Sequence, residues 1–75
     1  MKETIFEIIS KLANVKPENI KPEDNLESDL NLDSLMRFAL LSDIEDAFNI
    51  VVPDRKFMTI QTVEDVLNAA KELIG

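Results

Sequence analysis

Seventy-five residues form a single domain, 1–75, near the lower size limit for a self-sufficient core. With neither cysteine nor histidine, the chain can form no disulfide or thiolate and lacks the usual general base near neutral pH, which argues against an enzyme. A net charge of −7 and only four aromatic residues, all Phe, argue against a phosphate backbone or stacked bases as partner, so no nucleic acid is expected.

Met1-Lys2-Glu3-Thr4 is unlike a secretory signal, and no stretch approaches the ~20 apolar residues of a membrane span. A soluble, cytoplasmic monomer is the expectation. Ile5, Ile8, Ile9 and Leu12 recur at helical spacing, which predicts a first helix over Lys2–Ala13. The next twenty residues, Asn14–Asp33, carry no sustained period and hold Pro17 and Pro22, each in a Lys-Pro-Glu triplet. So long an unstructured link is unusual in a small domain. Its apolar residues Val15, Ile20, Leu26, Leu30 and Leu32 are spaced as anchors for a loop packed across helices, with a short helical turn around Pro17–Ile20. This segment also concentrates charge: Lys16–Asp33 contributes −4 of the total −7. It reads either as a solvated loop or as an acidic approach that steers basic partners toward Ser34 at its end.

A second helix is predicted over Ser34–Phe48. At 100° per residue, Leu40, Leu41, Ile44, Ala47 and Phe48 share one face, opposite Ser42, Asp43, Glu45 and Asp46. The first half is less regular. Leu35 and Ala39 fall on the polar side, Phe38 near its edge and Met36 on the opposite border, so either the loop or a partner must cover them. Ile50-Val51-Val52 is β-prone but has no second strand to pair with, and Pro53 interrupts it, so it reads as an extended connector. Asp54–Met58 is expected as one helical turn capped by Asp54. A last helix follows Thr62, whose partner Asp65 makes a shortened capping box. Val63, Val66, Leu67, Ala70, Leu73 and Ile74 form its apolar stripe, and Gly75 would end it. The fold class is thus all-α: a small four-helix bundle of three main helices and one short one, with a long loop between the first two.

The candidate chemistry centres on Ser34. Asp29-Leu30-Asn31-Leu32-Asp33 matches the first half of a calcium loop, but Ser34 and Leu40 stand where glycine and a bidentate Glu are needed, so no metal is assigned. As a nucleophile, Ser34 has neither a histidine nor a nucleophile-elbow glycine pair beside it, so no catalytic residue is assigned. Two readings stay open. Ser34 can be a simple helix cap, or its hydroxyl can bear a phosphoester favoured by the positive helix end.

The run Asp29–Leu35, together with Phe48, Val52-Pro53-Asp54 and Thr62-Val63, resembles the acyl carrier proteins, ungapped from Val15 to about Leu73. The resemblance implies a carrier, not an enzyme, with 4′-phosphopantetheine from coenzyme A attached covalently to Ser34 and holding acyl groups as thioesters. Ser10, Ser28 and Ser42 lack the Asp-Ser-Leu setting. Asp33 and Leu35 would be read by a phosphopantetheinyl transferase. Leu35, Met36, Ala39, Arg55 and Lys56 would face the acyl-loading and acyl-transferring enzymes, with core packing the competing role for Met36. Fatty-acid or related lipid biosynthesis is the expected setting. An aminoacyl, peptidyl or polyketide carrier is one alternative, and an unmodified helical docking module another. The chain departs from the family in having Asn31 for a usual glycine, and Met36, Ala39, Arg55 and Lys56 where acids are typical. Those changes imply a carrier for a narrower pathway, docking less by charge and more by apolar contact.

Overall fold

The computed structural model describes residues 1–74, with α1 at Lys2–Ala13, α2 at Ser34–Phe48, α3 at Asp54–Phe57 and α4 at Val63–Ile74. α1 and α4 form where the apolar spacing has a clear period of 3.6, while α2 keeps that period only in its second half. One turn of 3-10 helix occupies Pro17–Asn19, and residues 50–52 belong to neither helix nor strand. No helix among the described residues is long and apolar enough to cross a membrane. Gly75, the expected terminator of the last helix, lies outside the described residues.

The ends of the elements follow local chemistry. Asn14, Asn31 and Asn49 adopt positive φ of 57°, 58° and 55°. Asn14 and Asn49 close α1 and α2 in the left-handed conformation that glycine more often supplies. Asn31 makes the same backbone turn three residues before Ser34, so asparagine there replaces the expected glycine without loss of geometry. At α4, the Thr62 hydroxyl accepts from the Asp65 amide at 3.1 Å, and Asp65 Oδ2 accepts from the Thr62 and Gln61 amides at 3.1 and 2.9 Å. Asp54 is not a cap. It is the first residue of α3, and Pro53 holds the N-cap position with an extended ψ of 150°. The Pro53 carbonyl then accepts from Lys56 and Phe57, while the Asp54 carboxylate remains at the positive end of the turn.

The core is shared by helices and loop. Ile5 and Ile9 of α1, Leu40, Leu41 and Ile44 of α2, and Val63, Val66, Ala69 and Ala70 of α4 are buried together with Ile20, Leu26, Leu30 and Leu32 of the loop. Leu26 and Leu32 are 1% and 0% exposed, as deep as any helical residue, so the link between α1 and α2 is part of the core. Main-chain bonds fix it there. The Leu26 amide donates to the Gln61 carbonyl at 2.9 Å, and the Val63 and Glu64 amides donate to Asp24 and Pro22 at 3.0 and 2.8 Å. Asn25 pairs with Thr62 in an antiparallel bridge. The Asn25 side-chain oxygen also accepts from the Glu27 and Ser28 amides, and its own amide donates to Asp29.

The apolar faces differ from their sequence patterns at particular residues. Ala47 is exposed; its short side chain stays in an open groove between α1 and α2 instead of reaching the core. Phe48 is half-buried against the core edge. On α4, Ala69 is buried and Ile74 exposed, because the helix's last turn runs past the end of the core.

Two measurements check this packing. Leu26→Ala should cost about 2–5 kcal/mol in a urea melt, comparable with the whole stability of so small a domain, about 3–5 kcal/mol. Glu23→Ala, on the exposed side of the same loop, should stay within about 0.5 kcal/mol of the parent. The second concerns Asp65. Its carboxyl is held below the usual 3.8 first by the Gln61 amide and then by the Thr62 amide and hydroxyl, against an opposing effect of burial. A carboxyl whose folded pKa is depressed stabilises the fold fully above its unfolded pKa and loses that contribution as pH falls through the folded value. Asp65→Asn should therefore melt lower than the parent at pH 7, and the gap should close as the pH is taken below about 4.

Candidate functional site

The loop delivers its last residues to the N-terminus of α2. Leu32 is fully buried, and its amide donates back to the Leu26 carbonyl at 2.9 Å. The next three residues, Asp33, Ser34 and Leu35, are exposed. A buried leucine followed by three exposed residues sets Ser34 at the rim of the core, on the first position of a helix whose axis it begins.

Asp33, not Ser34, is the cap. Its backbone is extended (φ −76°, ψ −178°), and its Oδ1 accepts from the Met36 amide at 2.8 Å. Its carbonyl accepts from the Arg37 amide at 2.9 Å. The cap reading of Ser34 is therefore replaced: the Ser34 hydroxyl is spared that duty and is exposed. Its Oγ accepts from Arg37 Nη2, one helical turn on, at 3.3 Å. Ser34 is thus a primary alcohol at a helix end with a carboxylate on one side and a guanidinium on the other.

The remaining candidate residues separate into exposed and engaged positions. Leu35 is 78% exposed and Arg55 is exposed, whereas Met36 and Ala39 are half-buried and Met36 packs against the core. The loop does not cover Leu35 or Phe38. Lys56 is half-buried and forms an ion pair with Glu72 of α4, which draws it away from α2. Phe38 stacks on Phe57 of α3, with ring centroids 4.5 Å apart and planes 17° apart. Leu35, one helical turn before Phe38, and Met58, directly after Phe57, are likewise exposed apolar side chains. At the seam of α2 and α3 lies a partly open pocket of about 170 Å³ lined by the apolar Leu26, Leu40, Leu41, Phe57, Met58 and Ile60 and by the polar Arg37 and Gln61.

Sequence reasoning misses the Phe38–Phe57 stack and the Arg37 contact with Ser34. The first joins two elements and has no local signal. The second has one, since residues three apart on a helix are neighbours.

Capping and charge at Asp33 can be separated. Asparagine caps helices about as well as aspartate, so Asp33→Asn should leave the thermal midpoint near that of the parent. Asp33→Ala should lose about 1 kcal/mol, because the Met36 amide is left without its acceptor.

Comparison with known proteins assigns the family. The family model described as "Phosphopantetheine attachment site" matches residues 3–70. The acyl carrier protein of Wolinella succinogenes is 40% identical over 63 residues, covering 84% of this chain and 83% of that protein. That of Thermosynechococcus vestitus is 35% identical over 66 residues, covering 88% and 82%. The meromycolate extension acyl carrier protein of Mycobacterium leprae is 32% identical over 69 residues, covering 92% of this chain and 60% of its own. Among solved structures, one from Mycobacterium tuberculosis assigned as an acyl carrier protein superposes with a TM-score of 0.89 at 31% identity, covering 95% of each chain. The chain belongs to the phosphopantetheine-attachment family of acyl carrier proteins, which are carriers, not catalysts, and bear 4′-phosphopantetheine as a covalent prosthetic group.

Proposed function

We propose that Ser34 carries the 4′-phosphopantetheine arm and that the protein, as a single cytoplasmic domain and a monomer, presents acyl groups to enzymes of fatty-acid or related lipid biosynthesis. The observation that carries this reading is the division of labour at the start of α2. Asp33 takes the cap, so the neighbouring hydroxyl is left exposed and its ester would sit at the positive end of a fifteen-residue helix. The residues present suit the group: a primary alcohol to esterify, helix-end N–H groups, and a guanidinium within reach of the ester oxygen. When bound, the arm supplies a long tether ending in a thiol, on which acyl groups ride as thioesters.

This chain's own residues orient and shelter; they do not move protons. There is no histidine, and Asp33 spends one carboxylate oxygen on the Met36 amide, so in this reading removal of the Ser34 proton falls to the transferase. The pocket at the α2–α3 seam is close to the ~150 Å³ that accommodates a benzene ring in an apolar protein interior, enough for about six carbons of an acyl chain. Longer chains would need to extend along the seam. The exposed Leu35, Phe38 and Met58 are the docking surface this geometry favours, with Arg55 at its edge. That surface supports a specialised carrier that meets its enzymes through apolar contact more than through acidic charge.

Treatment of the apo protein with a phosphopantetheinyl transferase and coenzyme A should add one phosphopantetheine by intact mass, and peptide mapping should place it on Ser34. Ser34→Ala should fold and remain unmodified; an adduct on that variant overturns the assignment. For the docking surface, Ala39→Glu combined with Arg55→Glu should speed acyl transfer with a fatty-acid ketosynthase by about tenfold through faster encounter with its basic patch. Lys56 is better left unchanged, because an acid there would face Glu72. No gain from the double variant would remove the specialised-docking claim and leave the carrier assignment standing.

A further inference from the structure

Arg37 has an unfilled donor. Its Nη2 donates to Ser34 Oγ at 3.3 Å, while its Nε is shielded from solvent and has no hydrogen-bond partner. On a guanidinium, Nη2 is the terminal nitrogen on the same side as the Nε–H bond. The atom already at Ser34 and the atom lacking an acceptor therefore form one edge of the planar group. That edge is the fork which arginine offers to the two oxygens of a phosphate. A buried donor without an acceptor costs stability, so its persistence beside the attachment hydroxyl needs a reason.

We infer that Arg37 is a positioning residue for the prosthetic arm: its Nε–Nη2 edge clamps the phosphodiester formed on Ser34. The inference rests on Ser34 being the attachment point. Esterification turns Oγ into a bridging oxygen and places two non-bridging oxygens, which share one negative charge, next to the nitrogen that now touches it. Arg37 is half-buried, so its attraction to that charge is less screened than a surface pair would be. The same side chain lines the cavity with Leu26, Leu40, Leu41, Phe57 and Ile60. A clamped phosphodiester would therefore root the arm on the cavity's side of α2. Arg37 also supplies a positive charge in a stretch that Asp29 and Asp33 make acidic. It thus offsets the repulsion between those carboxylates and the incoming phosphate.

The side-chain N–H signals of arginine test this directly, because the chain has only two arginines, Arg37 and Arg55. Arg55 is exposed and serves as an internal control. The experiment compares ¹⁵N-labelled apo and holo protein, with intact mass establishing complete loading. The Arg37 Nε–H signal should shift on loading, and its exchange with water should slow by at least about tenfold, as expected for a new charge-assisted bond. The Arg55 signal should not change. In the holo protein, Arg37→Gln should move the ³¹P resonance of the phosphodiester, and Arg37→Lys should restore part of that shift. A merely structural role for Arg37 would move neither the Nε–H exchange on loading nor the ³¹P signal. An Arg37 Nε–H signal identical in apo and fully loaded protein overturns the inference while leaving Ser34 as the attachment point. Absence of the mass adduct overturns the Ser34 assignment and this inference together.

Discussion

The structure depends on how the long loop is pinned to the start of α4. Four residues of the loop, Ile20, Leu26, Leu30 and Leu32, are buried among three helices. The loop's backbone exchanges hydrogen bonds with Gln61, Val63 and Glu64 in both directions. Removing this segment would strip the core of a large part of its apolar contacts and leave the first amides of α4 without acceptors. A domain of this size, with no disulfide, has little other reserve. The chain's radius of gyration, 11.0 Å, is about that of a fully packed protein of its length, which leaves no room for a loosely draped connection.

That pinning also places Ser34, the proposed attachment residue. Leu32 is held by the core and by its bond to Leu26, and Asn31 turns the backbone through positive φ just before it. Ser34 therefore leaves the loop at a fixed point and with a fixed direction, although its side chain is in solvent. A mobile prosthetic arm gains from such a root: the reach comes from the arm, and the enzyme that meets it finds one orientation of the protein. Around that point the charges are divided. The loop is acidic and Arg37, in the first turn of α2, reaches the Ser34 hydroxyl, while Phe38 and Phe57 make the seam with α3 apolar. Under the proposed function, partner enzymes would meet apolar side chains bordered by charge of both signs, and not a uniformly acidic helix.

Much of this is legible in the chain. The end of α1, both ends of α2 and the start of α4 lie at Asn, Asp or Thr residues that cap or close the helices. Leu26, Leu30 and Leu32 stand out as anchors because apolar residues in an acidic, proline-containing stretch need somewhere to go. Other positions depart from their patterns. Ala47 lies on the correct helical face but opposite a groove; Asp54 lies one residue inside its turn because proline takes the cap; Ser34 is displaced as cap by Asp33. The last two outcomes turn on which neighbour wins a cap position, and helical period does not decide that. The stack of Phe38 on Phe57 and the pocket at the same seam arise from the packing of α3 on α2, across nineteen positions of sequence, and no local pattern signals them.

The central claim is that the loop is part of the folded core and so fixes Ser34 at a defined exit. Native-state hydrogen exchange tests it most directly, by comparing the amides of Leu26, Leu32 and Val63 with that of Ile44 in the middle of α2. If the loop folds with the core, all four exchange only through global unfolding, with one opening free energy and the same dependence on denaturant, in apo and loaded protein alike. Exchange of Leu26, Leu32 and Val63 through a local opening that leaves Ile44 protected would contradict the account, because Ser34 would then be carried on a segment free to detach from the core.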